Sequence, residues 1–291
     1  MAKADIAALL ALAAAVFIAI GNVVHQRSAH RVTGRVRGEL GLFGRLLTDR
    51  RWWLGSAVAA LGFGLQAVAL AFGSVLLVQA LLVTSLLFAL PINARLNRRR
   101  VTAPTWTWAA LLATSVVVIV TVGNPTAGQA RATAHSWVVV IAVLVPVLAG
   151  CLLAARTAPD PVGAMLAAAV SGASWGVFAV LIKGVTARIG DGIPTLLETP
   201  ELYAAVLIAL LGTVVQQSAF RAGSLTASLP TMTVAEPVVA AILGVVVLGE
   251  TMRPGDRGWL VLIAAIVVMV AATIALARGE AVRERPLAGA H

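Results

Sequence analysis

Nine stretches of about 20 residues, each almost wholly apolar, follow one another along this chain, at approximately 5–25, 52–72, 74–95, 104–123, 136–154, 162–183, 201–220, 224–248 and 257–277. Twenty residues of helix match the hydrocarbon thickness of a bilayer. Inside lipid every backbone N–H and C=O must be satisfied within the protein, so only helices or closed barrels span. The stretches are continuously apolar and lack the period-two alternation of barrel strands. The expected fold class is therefore an all-α polytopic membrane protein with about nine transmembrane helices.

Composition agrees. Of 291 residues 60 % are hydrophobic and only 12 % charged, against about 25 % charged in soluble domains. A soluble fold of this composition would lack polar surface. That excludes soluble enzymes, nucleic-acid binders and disordered chains. The run 5–25 follows a short polar start and is read as a retained span, not a cleaved leader.

Charge sets the topology. The net charge is +10, and the basic residues fall mainly between the apolar runs. One side collects 16 of them, from loop 26–51, Arg95, Arg98, Arg99, Arg100, Arg156, Arg221 and the tail, while the other collects six: Lys3, Arg131, Lys183, Arg188, Arg253 and Arg257. The positive-inside rule then puts the N-terminus outside and the C-terminus in the cytoplasm, in a multi-pass protein of the cell membrane. Within loop 26–51, Val36, Leu40, Phe43 and Leu47 share one helical face. This predicts an interfacial amphipathic helix, with an irregular basic loop as the alternative. Arg95, Arg98, Arg99 and Arg100 are expected to anchor to anionic lipid.

An offset of 150 residues aligns the two halves. Gln66 to Val75 falls on Gln216 to Leu225 with Gln, Ala, Gly and Ser coinciding, and Pro104 falls on Pro254. Span boundaries coincide as well. The layout reads as a first unit over 1–123, a linking helix over 136–154, a second unit over 162–277 and a polar cytoplasmic tail over 278–291. Equivalent helices lie an odd number of spans apart, so the units enter from opposite sides. Such inverted repeats are associated with alternating access around a midplane site.

Glu236 is the sharpest single feature, because an acidic side chain in mid-span is costly and tends to mark function. The competing reading is a protonated packing carboxylate bonded to a neighbouring helix. Pro230 and Pro237 flank it, and each removes a backbone donor, so the helix is expected to kink or break there. Gln66 and Gln216 sit at equivalent depths in paired helices, either lining a shared pocket or gluing helices together. Asn22, His25, Gln79, Thr84, Ser85, Thr231 and Thr233 are further candidate lining. Gly172 and Gly176 form a small-residue packing face. Lys183 is expected to snorkel to the interface, and Glu250 to be solvated or to pair with Arg253. The single cysteine, Cys151, rules out an intrachain disulfide. No catalytic constellation, metal set or cofactor motif is found.

These residues resemble a known family. Ala235-Glu236-Pro237 through Leu248-Gly249-Glu250 is similar to the EP…GE signature of the drug/metabolite transporter superfamily, EamA type. Trp175-Gly176 through Lys183 resembles the W-G…K pattern that opens an EamA unit. EamA units carry five helices, whereas here loops 26–51 and 184–200 replace the second helix of each unit. The nine-helix plan is instead similar to the NIPA-type magnesium transporter branch. Trp52-Trp53-Leu54-Gly55 through Gln66 resembles a NIPA helix, with Phe63 where that branch has an acidic residue. The resemblance implies a non-enzymatic secondary transporter for a small molecule or cation, with Mg2+ as the alternative cargo. A membrane scaffold that recruits partners through loop 26–51 is the reading from another class. Expected partners are anionic lipid and a small-molecule or ion substrate, with a homodimer left open and nucleic acid excluded.

Overall fold

The computed structural model describes residues 2–33, 50–96, 100–221, 225–255 and 258–288; the interfacial helix expected over 36–47 lies outside them. Among the described residues the chain is helical except for its connections and one isolated antiparallel bridge, Thr126–Thr251. The helices are α1 (Ala2–Thr33), α2 (Arg50–Phe72), α3 (Val75–Leu82), α4 (Ser85–Leu96), α5 (Ala103–Thr121) and α6 (Ala134–Thr157). They continue with α7 (Asp160–Thr186), the short α8 (Ile193–Leu197), α9 (Pro200–Arg221), α10 (Leu225–Leu248) and α11 (Gly258–Ala288). Among the described residues eight helical stretches are long and apolar enough to cross a membrane, α3 and α4 together forming one of them, and the apolar part of α9, Pro200–Gln216, is shorter. The protein is a multi-pass membrane protein.

Three local outcomes differ from the sequence reading. α10 runs as one helix through both Pro230 and Pro237. A missing donor is tolerated in a span whose neighbours enclose it, and α10 is flanked by α7 and α11. The interruption falls instead in the span at the corresponding place of the first half, at Val83–Thr84. There the Thr84 N–H bonds the Leu81 carbonyl and the Leu87 N–H bonds the Thr84 carbonyl, the tighter three-residue spacing. The Thr84 hydroxyl also donates to Leu81 O, a local bond that competes with regular helix. The third difference is at the C-terminus, where α11 continues through the polar segment to Ala288.

Packing falls into two similar groups. α1 lies along α2 and α4, as α7 lies along α9 and α10, while α5 and α11 pack on each other. The groups also meet where α3 touches α10 and α2 touches α7. Small residues allow the close approaches. Ala7, Ala11, Ala14 and Ala15 on α1 are fully buried, at the i, i+4, i+7, i+8 spacing of one helix face. α6 packs on α7 through the partly buried Val140, Leu144, Leu148 and Leu152 and fully buries none of its residues, so Val138, Val139, Val143, Val145, Val147 and Leu153 on its other face turn to lipid.

Candidate functional site

α7 is the common neighbour of α2, α9 and α10, the helices that carry Gln66, Gln216 and Glu236. The contact with α10 is set by two glycines. A Cβ at Gly172 would stand 2.6 Å from Met232 O and 2.8 Å from the Ala235 Cβ; one at Gly176 would stand 2.8 Å from Glu236 O. Neither approach leaves room for a side chain, which is the packing role expected of Gly172 and Gly176. Glu236 thus has its backbone against α7. Its side chain is half-buried and makes no hydrogen bond or ion pair among the described residues.

Gln66 is 3 % exposed on α2, and Gln216 is half-buried on α9. An aromatic cluster of Phe63 on α2 and Trp175 and Phe178 on α7 joins these two helices. Phe63 stacks on Trp175 with centroids 5.4 Å apart and planes 10° from parallel. Phe178 meets both rings edge-on, at 5.4 Å from Trp175 and 6.2 Å from Phe63. Offset stacking and edge contacts are the favoured aromatic geometries. Trp175, the tryptophan that sits inside a span and not at its edge, is therefore a packing residue between α2 and α7. Phe63 of α2 supplies its stacking partner.

The remaining candidates fall elsewhere. Thr233 turns its hydroxyl to Leu229 O of its own helix at 2.7 Å. It lines a cavity with Gln79 and Thr273 on the side of α10 away from α7. Thr84 lies in the α3–α4 break and Ser85 begins α4. The side chains of Asn22 and His25 lie outside the described residues, as do Arg98 and Arg99.

The residues that sequence reasoning misassigned are Lys183 and Glu250. Lys183 does not snorkel and Glu250 is not solvated: they are 5 % and 0 % exposed, with Lys183 Nζ donating to Glu250 Oε1 at 2.6 Å and to the Gly73 carbonyl at 3.0 Å. Glu250 also accepts the Val75 N–H at 2.7 Å and the Leu76 N–H at 2.9 Å. These are the first amides of α3, which have no acceptor within the helix, and the helix dipole favours a negative charge there. Ser74 completes the cap by accepting from Leu77 N–H at 3.1 Å. Glu250 can turn inward because Gly249 adopts φ +64°, a left-handed conformation that glycine alone takes freely. The Glu250 N–H then bonds Gly244 O at 3.0 Å.

The same end of the bundle is laced further. Arg131 donates to Glu201 Oε1 at 2.6 and 3.1 Å. Gln129 N–H bonds Leu248 O at 2.7 Å, and Arg253 N–H bonds Gly123 O at 2.9 Å. A signal for the buried pair did exist in the sequence. Lys183 and Glu250 end their spans on the same side of the membrane, with opposite charges.

No protein-family model and no solved structure matches the chain. It is 41 % identical over 276 residues to an uncharacterized protein of Corynebacterium glutamicum, covering 94 % of this chain and 95 % of that one. At that identity over nearly the whole of both lengths, the chain belongs to one family with the Corynebacterium glutamicum protein.

Proposed function

We propose that the protein is a secondary transporter of the drug/metabolite type, moving a small molecule or cation by alternating access with Glu236 in its pathway. The observation that carries this reading is the Glu236 carboxylate, set in a membrane span without a hydrogen-bond or ion-pair partner among the described residues. An acidic group at such a position costs roughly 2–3 kcal/mol or more. Cargo or a proton that neutralises it during a cycle gives that cost a purpose.

Two further features support the reading. The packing order of α1, α2 and α4 repeats in α7, α9 and α10, as two units exchanging roles would require. The Lys183–Glu250 tie joins the second unit to residues 73–76 of the first, closing the end that the basic-residue count turns outward. Anionic lipid at the exposed Arg95 and Arg100 is the partner this reading expects on the cytoplasmic side.

The test is current across reconstituted liposomes on a solid-supported membrane, probed in turn with organic amines, amino acids and Mg2+. Wild type should pass current with at least one probe. The E236Q variant, with its melting temperature kept, should pass none. Undiminished current in E236Q refutes the role of Glu236, and current with Mg2+ alone assigns the magnesium branch.

A further inference from the structure

The Lys183–Glu250 tie is assembled asymmetrically. Both charges come from the second half of the chain, Lys183 from the last turn of α7 and Glu250 from just beyond α10. Everything they bind in the first half is backbone: the Gly73 carbonyl and the Val75 and Leu76 N–H groups. The Glu250 N–H bonds Gly244 O, which fixes the carboxylate to α10. The pair is therefore complete within its own half, and three hydrogen bonds at the corner between α2 and α3 are what it shares with the other.

Two ways of undoing such a tie differ in cost. Drawing the two charges apart would leave each of them buried and uncompensated, which is strongly destabilising. Drawing the corner away from an intact pair keeps the charges matched and releases only three backbone groups. Those bonds are strong while closed, because one partner of each is ionised. The other ties at this end do not oppose the movement. Thr126 and Gln129 bond Thr251 and Leu248, and Arg131 bonds Glu201; all three donors lie on the segment joining α5 to α6, which can travel with the second half.

We propose that these three hydrogen bonds are a latch on the transport cycle: the α2–α3 corner releases Lys183 and Glu250 when this end of the bundle opens, and the pair moves with α7 and α10 without separating. The inference rests on the alternating-access reading and adds the contacts that must part.

The first experiment needs no cargo. Cys151 is the sole cysteine, so Cys151→Ala gives a cysteine-free background. Ala179, one turn below Lys183 on α7, and Ala168, near the other end of that helix, are both fully buried. Each is changed singly to cysteine and labelled in nanodiscs with a bulky hydrophilic maleimide, with and without the pair Lys183→Met and Glu250→Gln. The double change deletes the bond to Gly73 and makes the other two neutral. Charge-assisted hydrogen bonds are roughly twice as strong as neutral ones, so labelling at Ala179→Cys should rise about 10-fold, with Ala168→Cys unchanged. No rise at Ala179→Cys, or an equal rise at both positions, would overturn the latch.

A second variant keeps the proposal testable where the double change fails to fold. A Cβ at Gly244 would stand 3.5 Å from the Val75 Cβ, within disulfide reach, and Val75→Cys leaves the Val75 N–H in place. The Val75→Cys, Gly244→Cys protein in the cysteine-free background is reconstituted in liposomes and probed with organic amines, amino acids and Mg2+. Its oxidised form should carry no current with a probe that its reduced form carries. Equal current in both forms would overturn the latch and leave the role of Glu236 standing. Failure of the transport reading shows separately, as wild type passing no current with any probe, and leaves the labelling to judge whether the corner opens.

Discussion

Lys183→Met removes the ammonium from a buried pair and leaves Glu250, fully buried, as the charge to be held. Breaking a buried pair from one side costs about 3–5 kcal/mol, because the remaining charge is left uncompensated. Here two backbone donors stay on the carboxylate, from Val75 and Leu76, so the expected loss is the lower figure, about 3 kcal/mol. At roughly 2–4 °C per kcal/mol for a domain of this size, the melting temperature should fall by about 6–12 °C. The double variant Lys183→Met with Glu250→Gln removes both charges. It keeps an amide that still accepts from the α3 amides, and should recover at least half of the loss. The assay is intrinsic-fluorescence unfolding of the four proteins of the double-mutant cycle in one detergent. Each is measured at low and high salt, since a buried pair is screened far less than an exposed one. A cycle in which the two single losses simply add, or a Lys183→Met protein that melts with wild type, would refute the tie as a structural element.

Two further outcomes follow from close approaches. Gly176→Leu drives a side chain into the Glu236 carbonyl, 2.8 Å from where its Cβ would stand, and should cost about 3 kcal/mol, read as a lowered melting temperature with loss of the α7–α10 contact in cysteine cross-linking. Gly249→Ala forces φ +64° on a residue with a Cβ, at about 1–2 kcal/mol, and should lower stability without altering membrane insertion.

Much of the secondary structure was legible because it is a one-dimensional matter in lipid. A span must satisfy its own backbone, so apolar windows near 20 residues read directly as helices, and the Gly172–Gly176 spacing read directly as a packing face. The break expected at the prolines does not occur, because a missing N–H weakens a helix only as far as its surroundings let it, and α10 is held by α7 and α11. The interruption fell where no proline stands, at Val83–Thr84, where a threonine hydroxyl competes for a carbonyl. The stacking of Trp175 on Phe63 was not legible, because the two lie 112 positions apart and no periodicity links them.

Sequence alone determined the solvent, the class of element and the number of apolar stretches, since each depends on transfer of a local segment into hydrocarbon. It also singled out Glu236, since a charge in mid-span is conspicuous wherever the chain folds. Only the tertiary structure decided that Glu236 has no hydrogen-bond or ion-pair partner among the described residues while Glu250 has three donor contacts. Both are glutamates near proline or glycine on or beside one helix. Glu250 is neutralised by a lysine 67 residues away and by amides more than 170 residues away. Pairings over such separations are set by how helices stack, a quantity that no local pattern encodes.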